Sequence, residues 1–349
     1  MNPRIVSVQE ACAGLDGFGS VLDARSPAEH EEDHLPGARS MPVLNNEERA
    51  LVGTQYKLDS FEARRLGAGL VAANIARHLQ TSLADYDRHW EPLIYCWRGG
   101  QRSSSLATVL ARVGWRVSLL EGGYKAFRGH VLQQIPRLVG PIDFRVVCGV
   151  TGSGKTQFLQ SLLKAGHQVL DLEAFASHRG SLLGAVPDAP QPSQKQFETQ
   201  IWNALRRLDP LRPVFVESES KKVGNVQVPE ALMDRIRASP CITLELSLEH
   251  RIALLCREYA HFFEHPDALK QQLQKLNALV GRAQVGEWSN QVDRQDWAGL
   301  VQSLLELHYD PSYLRSIDRN FPQRAKGHRI ALMGPSPADY DAAASSLSL

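Results

Sequence analysis

Cysteine is scarce in this chain, and no two cysteines are arranged as a pair. Five occur in 349 residues (Cys12, Cys96, Cys148, Cys241 and Cys256), and none stands in a CxxC spacing. An odd, unclustered set offers neither a disulfide framework nor a structural zinc site. Long apolar runs are missing too, so no segment reads as a membrane-spanning helix. The opening residues, MNPRIVSVQEACAGLDGFGS, carry a proline and acidic side chains. A secretory leader would need a basic start and an apolar centre there, so the cytoplasm is the expected compartment. Net charge is only +1. A nucleic-acid partner would therefore have to meet a local basic patch. There is no internal repeat and no long low-complexity segment. What remains is an ordinary soluble composition, 43% hydrophobic and 22% charged, long enough for two domains.

The chain reads as α/β. GSVLDAR and PLIYCW are apolar strands, SLATVLARVGW is a helix with its stripe at 106, 109, 110 and 113, and RVSLLEGG is again a strand. Such alternation predicts a parallel sheet with helices on its faces. QQIPRLVGPIDF, with two prolines and a glycine, marks the domain boundary, giving domains 1–137 and 138–349. The second domain opens on FRVVCG and continues with QVLDLE, PVFVES, ITLELS and RIALMG as strands. Helices are expected at about 155–165, 194–208, 229–238, 249–262, 267–280 and 293–307, making a helical C-terminal portion. AVPDAPQPS reads as a proline-rich loop, and ADYDAAASSLSL as a weakly held tail.

Residues 149–156, GVTGSGKT, have the spacing G-x-x-x-x-G-K-T between a strand and a helix. That is the context of a phosphate loop. Gly149, Gly152, Ser153 and Gly154 let backbone N–H groups turn toward phosphate oxygens. The helix N-terminus and Lys155 add positive charge, and Thr156 offers a hydroxyl to a magnesium ion where one is bound. The carboxylate expected at the end of a later strand would be Glu217 or Glu219 rather than aspartate. The motif thus speaks for diphosphate or triphosphate binding more firmly than for ATP hydrolysis. Two polar clusters follow strands on what should be the same sheet edge. DLEAFASHRGS supplies Asp171, Glu173, His178, Arg179 and Ser181. ESESKKVGN supplies Glu217, Glu219, Ser220, Lys221 and Lys222. Two histidine patterns are set aside as metal sites. HFFEH is broken by Pro266 after His265, and His30 and His34 stand before Pro36–Gly37, where a turn is expected.

Residues 95–104, YCWRGGQRSS, place Cys96 at the start of a glycine-rich turn before a helix. Backbone N–H groups of residues 97–102, the helix dipole and Arg98 or Arg102 would favour the thiolate. An anion pocket around a thiolate serves sulfur or selenium transfer. It also serves phosphate-ester hydrolysis, since Cys96 and Arg102 satisfy C-x5-R. The surrounding residues discriminate. VLDARSPAEHEEDHLPGARSMP and LLEGGYKAFR resemble the opening and closing segments of a rhodanese domain. The phosphatases that share that frame are not followed by a phosphate-loop domain.

VGTQYK, CWRGGQRS, LEGGYKAFR, GVTGSGKT, DLEAFASHRGS and ESESKKVGN, in this order over about residues 20–225, resemble the tRNA 2-selenouridine synthase family. The resemblance implies a rhodanese-like domain followed by a P-loop NTPase-like domain. It implies conversion of wobble 2-thiouridine in tRNA to 2-selenouridine through an S-geranyl intermediate, with geranyl diphosphate and selenophosphate as substrates. On this reading Cys96 is catalytic and takes selenium to give a perselenide. Arg98, Gly99, Gly100, Arg102 and Ser103 hold selenophosphate, and the 149–156 loop holds diphosphate. Asp171, Glu173, His178, Arg179, Glu217, Glu219, Ser220 and Lys222 are pocket candidates. Magnesium at the loop is allowed, and no tightly bound cofactor or membrane is expected. A selenophosphate-producing enzyme would be the donor's source. Basic residues at 64–65, 206–207, 221–222 and 324–329 are candidates for tRNA contact. Two rivals stand beside this reading. A nucleotide-dependent kinase or ATPase with a regulatory or sulfur-transfer rhodanese domain predicts partner-stimulated hydrolysis. A non-catalytic tRNA-binding module predicts that Cys96 is dispensable.

Overall fold

The computed structural model describes residues 2–180, 184 and 189–347. The chain divides into two compact units, Met1–Gln134 with Pro192–Asn203, and Ile135–Gln191 with Ala204–Leu349. Chain order alone would put residues 192–203 in the second domain; in space they cluster with the first.

In the first unit β1 (Arg4–Val6), β2 (Ser20–Asp23), β3 (Ala38–Ser40), β4 (Pro92–Tyr95) and β5 (Ser118–Leu120) form one parallel sheet, ordered β1-β5-β4-β2-β3. All four residues of β4 are buried, as expected of a strand covered on both faces. The Gln101–Val113 helix buries Ser103, Leu106, Ala107, Leu110 and Ala111. Val109 and Val113, assigned to its apolar stripe from the sequence, are 36% and 55% exposed. Small alanines rather than valines face inward beside the leucines. Helices Asn46–Leu58 and Ser60–Gln80 are capped by Asn45 and Asp59 and pack on each other.

A buried polar network explains the DAR and HLPG segments. Arg25 is fully buried, and its guanidinium donates to both oxygens of Asp23 and to the Asp33 carbonyl. Its planar face lies 4.0 Å from the Tyr124 ring centroid. Tyr95 and Tyr124 donate to Asp23 and Asp33 at 2.9 and 2.8 Å. Burial alone would raise Asp23, but His30 and Arg25 hold it below the usual carboxylate range. Thr199 also donates to Asp33, at 3.0 Å, which ties the second chain segment into this unit. His30 lies in a short Pro27–Glu32 helix rather than a turn, with its ring stacked on that of His34.

In the second unit the strands are β6 (Phe144–Cys148), β7 (Gln168–Leu170), β8 (Val214–Glu217), β9 (Lys222–Val223), β10 (Val226–Gln227), β11 (Cys241–Glu245) and β12 (His328–Ala331). Five of them form a parallel sheet in the order β12-β11-β6-β8-β7, while β9 and β10 make an antiparallel hairpin. Parallel pairing brings the C-terminal ends of β6, β7 and β8 to one edge, where ligands bind in such sheets.

The helical part departs from expectation in three places. The helix expected from 293 begins at Trp297, because Asp296 caps it by accepting from the Gly299 N–H at 3.0 Å. Helices Arg282–Asp293 and Asp310–Asn320 fall outside the expected segments. The supposed tail is a packed helix, Pro337–Ser345, with a capping box at Ser336 and Asp339. Its Tyr340 is fully buried against the helix that follows the phosphate loop. Small-residue composition suggested a loose end, but this one aromatic anchors it; residues 348–349 lie outside the described residues. HFFEH spans a helix end, with His265 at the start of the Pro266–Gln274 helix. Among the described residues no helix is long and apolar enough to cross a membrane.

Candidate functional site

Each unit carries one glycine-rich loop between a strand and a helix. In the first, β4 ends at Tyr95 and the 13-residue Gln101–Val113 helix starts five residues after Cys96. Gly99 has φ +67°, which only glycine adopts without strain. Gly123 is pressed so closely under the loop that a Cβ there would lie 2.2 Å from the Cys96 carbonyl oxygen. That contact explains the LEGG turn. The turn then holds the loop by donating from Tyr124 N–H to Cys96 O (2.8 Å) and from Lys125 N–H to Trp97 O (2.9 Å).

Cys96 is 3% exposed, and the Ser103 hydroxyl lies 3.0 Å from its sulfur. Two of the assigned residues already have protein partners. The Arg102 guanidinium forks on Glu29, at 2.6 and 3.3 Å. Burial would raise Glu29, but Arg102 outweighs it and holds that carboxyl low. Ser103 is fully buried and serves the sulfur and the Gly100 carbonyl rather than a phosphate oxygen. The cation left for an anion is Arg98, which is exposed and has no side-chain partner among the described residues. Gly99 and Gly100 contribute backbone only.

In the second unit the loop after β6 folds as its spacing requires. Gly152 and Gly154 have φ +78° and +77°. A Cβ at Gly154 would strike the Tyr340 ring, at 2.0 Å from the hydroxyl oxygen. Lys155 Nζ donates to the Gly149 carbonyl at 3.0 Å, and the Gly149 N–H donates to the Tyr313 hydroxyl at 2.8 Å. Thr156 donates to Glu173 Oε2 at 3.1 Å. A cavity of about 650 Å³ opens over this loop. Gly152, Gly154, Lys155, Thr156, Glu173, Arg179, Glu219 and Ser220 line it, as their strand-end positions suggested.

Other candidates stand apart from it. Asp171 caps the Leu172–Ala176 helix by accepting from the Ala174 N–H. His178 accepts from the Gly180 N–H at 3.1 Å. Glu217 is buried behind the cavity, accepting from the Glu173 N–H at 2.8 Å. Ser153 is fully buried beside Gly149, Lys222 is exposed in β9, and Ser181 lies outside the described residues. Several basic residues proposed for tRNA face acids instead: Arg65 pairs with Glu62, Lys221 with Glu230, Arg324 with Asp318 and Arg329 with Glu245.

The sequence reading missed the cavity's far wall, which comes from the Asp310–Asn320 helix through Ser312, Tyr313, Ser316 and Asn320. The signal was a small, polar stripe at i, i+1, i+4 and i+8. Arg251 fixes this helix over the loop. Buried to 6% exposure, it forks on Asp310 at 2.9 and 2.6 Å and donates to the Thr151 carbonyl at 2.8 Å. The cavity also shares Thr151, Leu255, Tyr259 and Tyr309 with a second, apolar cleft.

Acid chemistry at this edge is unusual. Burial, and then the neighbouring Glu219 carboxylate, push Glu173 up to about 8. Burial and the surrounding acids also raise Glu217 well above its ordinary value. Glu173 and Glu219 converge on Gly180, where a Cβ would come within 3.0 Å of both carboxylates. A carboxyl protonated in the fold but ionised when unfolded binds more protons in the folded state. Its contribution is present below about pH 4.5 and is lost as pH rises toward 8. The melting temperature of the ligand-free protein should therefore fall from pH 5 to pH 8. Glu173→Gln should flatten that slope and be more stable than the parent at pH 8, by on the order of 2 kcal/mol. Parallel melting curves across that range would contradict the assignment.

Comparison with known proteins agrees with this geometry. The family model described as the tRNA 2-selenouridine synthase AAA domain matches residues 142–331, and the rhodanese-like domain model matches residues 7–130. Proteins named tRNA 2-selenouridine synthase from Nitrosomonas europaea and Bdellovibrio bacteriovorus are each 32% identical to this chain, over 86% of it and 89% of their own length. A protein of the same name from Shewanella piezotolerans is 30% identical over 96% of this chain and 97% of its own.

Proposed function

The chain belongs to the tRNA 2-selenouridine synthase family, and on that premise we propose that it converts wobble 2-thiouridine in tRNA to 2-selenouridine in two steps, one at each loop. In the first, the thiocarbonyl sulfur attacks C1 of geranyl diphosphate. A C–S bond forms, the C–O bond breaks, diphosphate leaves and the uracil N3 proton is given up. Charge grows on the leaving group, where the loop N–H groups and Lys155 are placed to receive it. In the second, the Cys96 thiolate adds at C2, the C2–S bond breaks and geranylthiol departs with a proton. The selenium of selenophosphate then displaces the Cys96 thiolate at C2, and water cleaves the Se–P bond to release phosphate, with Arg98 as the cation for the phosphate.

One observation favours a prenyl diphosphate over a nucleotide: the phosphate cavity continues into an apolar cleft rather than a polar base pocket. Thr156, Glu173 and Glu219 form an oxygen donor set that fits magnesium, since a dication would replace the proton held between the two carboxyls. Bound there, the ion would add positive charge beside the diphosphate. No tightly bound cofactor is proposed. The expected setting is the cytoplasm, with a selenophosphate-producing enzyme as the donor's source.

The test uses purified protein, 2-thiouridine tRNA and geranyl diphosphate, with selenophosphate added later. Nucleoside mass spectrometry should show S-geranyl-2-thiouridine first and 2-selenouridine after the addition. Hydrolysis of ATP stimulated by tRNA, with neither product, would support the kinase or ATPase reading instead.

A further inference from the structure

The apolar cleft is small and lined almost wholly by apolar side chains. Beyond the four residues it shares with the phosphate cavity, its walls include Phe262, Phe263, Leu269, Leu300 and Leu304. The leucines belong to a buried core and do not yield. Phe263 is the adaptable wall: it is partly exposed, and its ring is stacked on Trp297 at 4.3 Å with planes 12° apart. Trp297 does not line the cleft, so it backs Phe263 from behind. The free volume is about 60 Å³. At about 10–15 Å³ for each water-sized group, that admits roughly four to six such groups, close to the heavy-atom count of one five-carbon isoprene unit.

We propose that this cleft is a chain-length gauge, which holds the terminal isoprene unit of a ten-carbon prenyl diphosphate and uses Phe263, backed by Trp297, to exclude the fifteen-carbon homologue. The proposal rests on the reading that the neighbouring loop binds a prenyl diphosphate. A chain anchored by its diphosphate at Lys155 runs past Tyr259 and Tyr309 at the shared mouth. Its second isoprene unit then fills the cleft, and a third meets the Phe263 ring.

The experiment compares kcat/KM for tRNA alkylation with five-, ten- and fifteen-carbon prenyl diphosphates. The wild-type protein should prefer the ten-carbon substrate. Phe263→Ala widens the cleft and should raise the fifteen- to ten-carbon ratio at least tenfold. Val301→Phe, at another lining position, fills the cleft and should raise the five- to ten-carbon ratio at least tenfold. This second variant carries the test if Phe263→Ala fails to fold. Ratios within twofold of wild type in a folded variant would overturn the gauge while leaving prenyl transfer intact. A wild-type protein that uses none of the three substrates would overturn the underlying reading and the gauge with it.

Discussion

Cells whose only copy of this protein carries Cys96→Ala should accumulate S-geranyl-2-thiouridine in their tRNA and contain no 2-selenouridine. Cys96 sits in the first unit, over a core of its own that includes Leu22, Ile94, Leu106 and Leu110. The phosphate loop is built on the second unit's core, around Val147, Phe158 and Tyr340. Removing one sulfur atom from the first leaves the second loop's hydrogen bonds in place. The loss at selenation should be large, on the order of a thousandfold or more, as for other covalent nucleophiles. Cys96→Ser should do no better, since a hydroxyl is a far weaker nucleophile than a thiolate. Ser103→Ala, which removes the contacts to the sulfur and to the Gly100 carbonyl, should give a smaller deficit than Cys96→Ala. Normal 2-selenouridine in the Cys96→Ala strain would end the idea of a covalent role for Cys96.

Lys155→Ala should fail at the other step. The side chain is half-buried at the mouth of the cavity, and in the ligand-free protein its ammonium rests on the Gly149 carbonyl. It needs only to swing from that carbonyl to reach a diphosphate oxygen. Losing one charge-assisted contact to a leaving group in such a pocket costs on the order of 2–4 kcal/mol of transition-state stabilisation. Alkylation of 2-thiouridine tRNA should therefore fall by roughly thirty- to a thousandfold. The loop should stay folded, because Gly152, Gly154 and the buried Tyr340 shape it, not the lysine.

Both loops were legible in the sequence because their signals are local. Glycine at fixed offsets, a preceding apolar strand and a following helix lie within about a dozen residues of each other. What was not legible depended on distant partners. Arg102 satisfied C-x5-R, but its acid is Glu29, 73 positions earlier, and nothing near Arg102 announces it. Tyr313 reaches the phosphate loop across 164 positions, through a helix that Arg251 and Asp310 hold in place. The apolar cleft gathers residues from five helical segments between 248 and 309. Their periodicity shows only that each has a buried face. The Pro337–Ser345 helix was taken for a loose end because alanine and serine dominate it. The space left by the absent side chain at Gly154 receives its tyrosine, which no local pattern could reveal.

The division of labour between the loops is the central claim, and one measurement tests it most directly. Lys155→Ala protein is given selenophosphate and tRNA that already carries S-geranyl-2-thiouridine, and 2-selenouridine is followed by mass spectrometry against the wild-type rate. The account predicts conversion within a fewfold of wild type, although the same variant is crippled on 2-thiouridine tRNA with geranyl diphosphate. Equal loss on both substrates would contradict it.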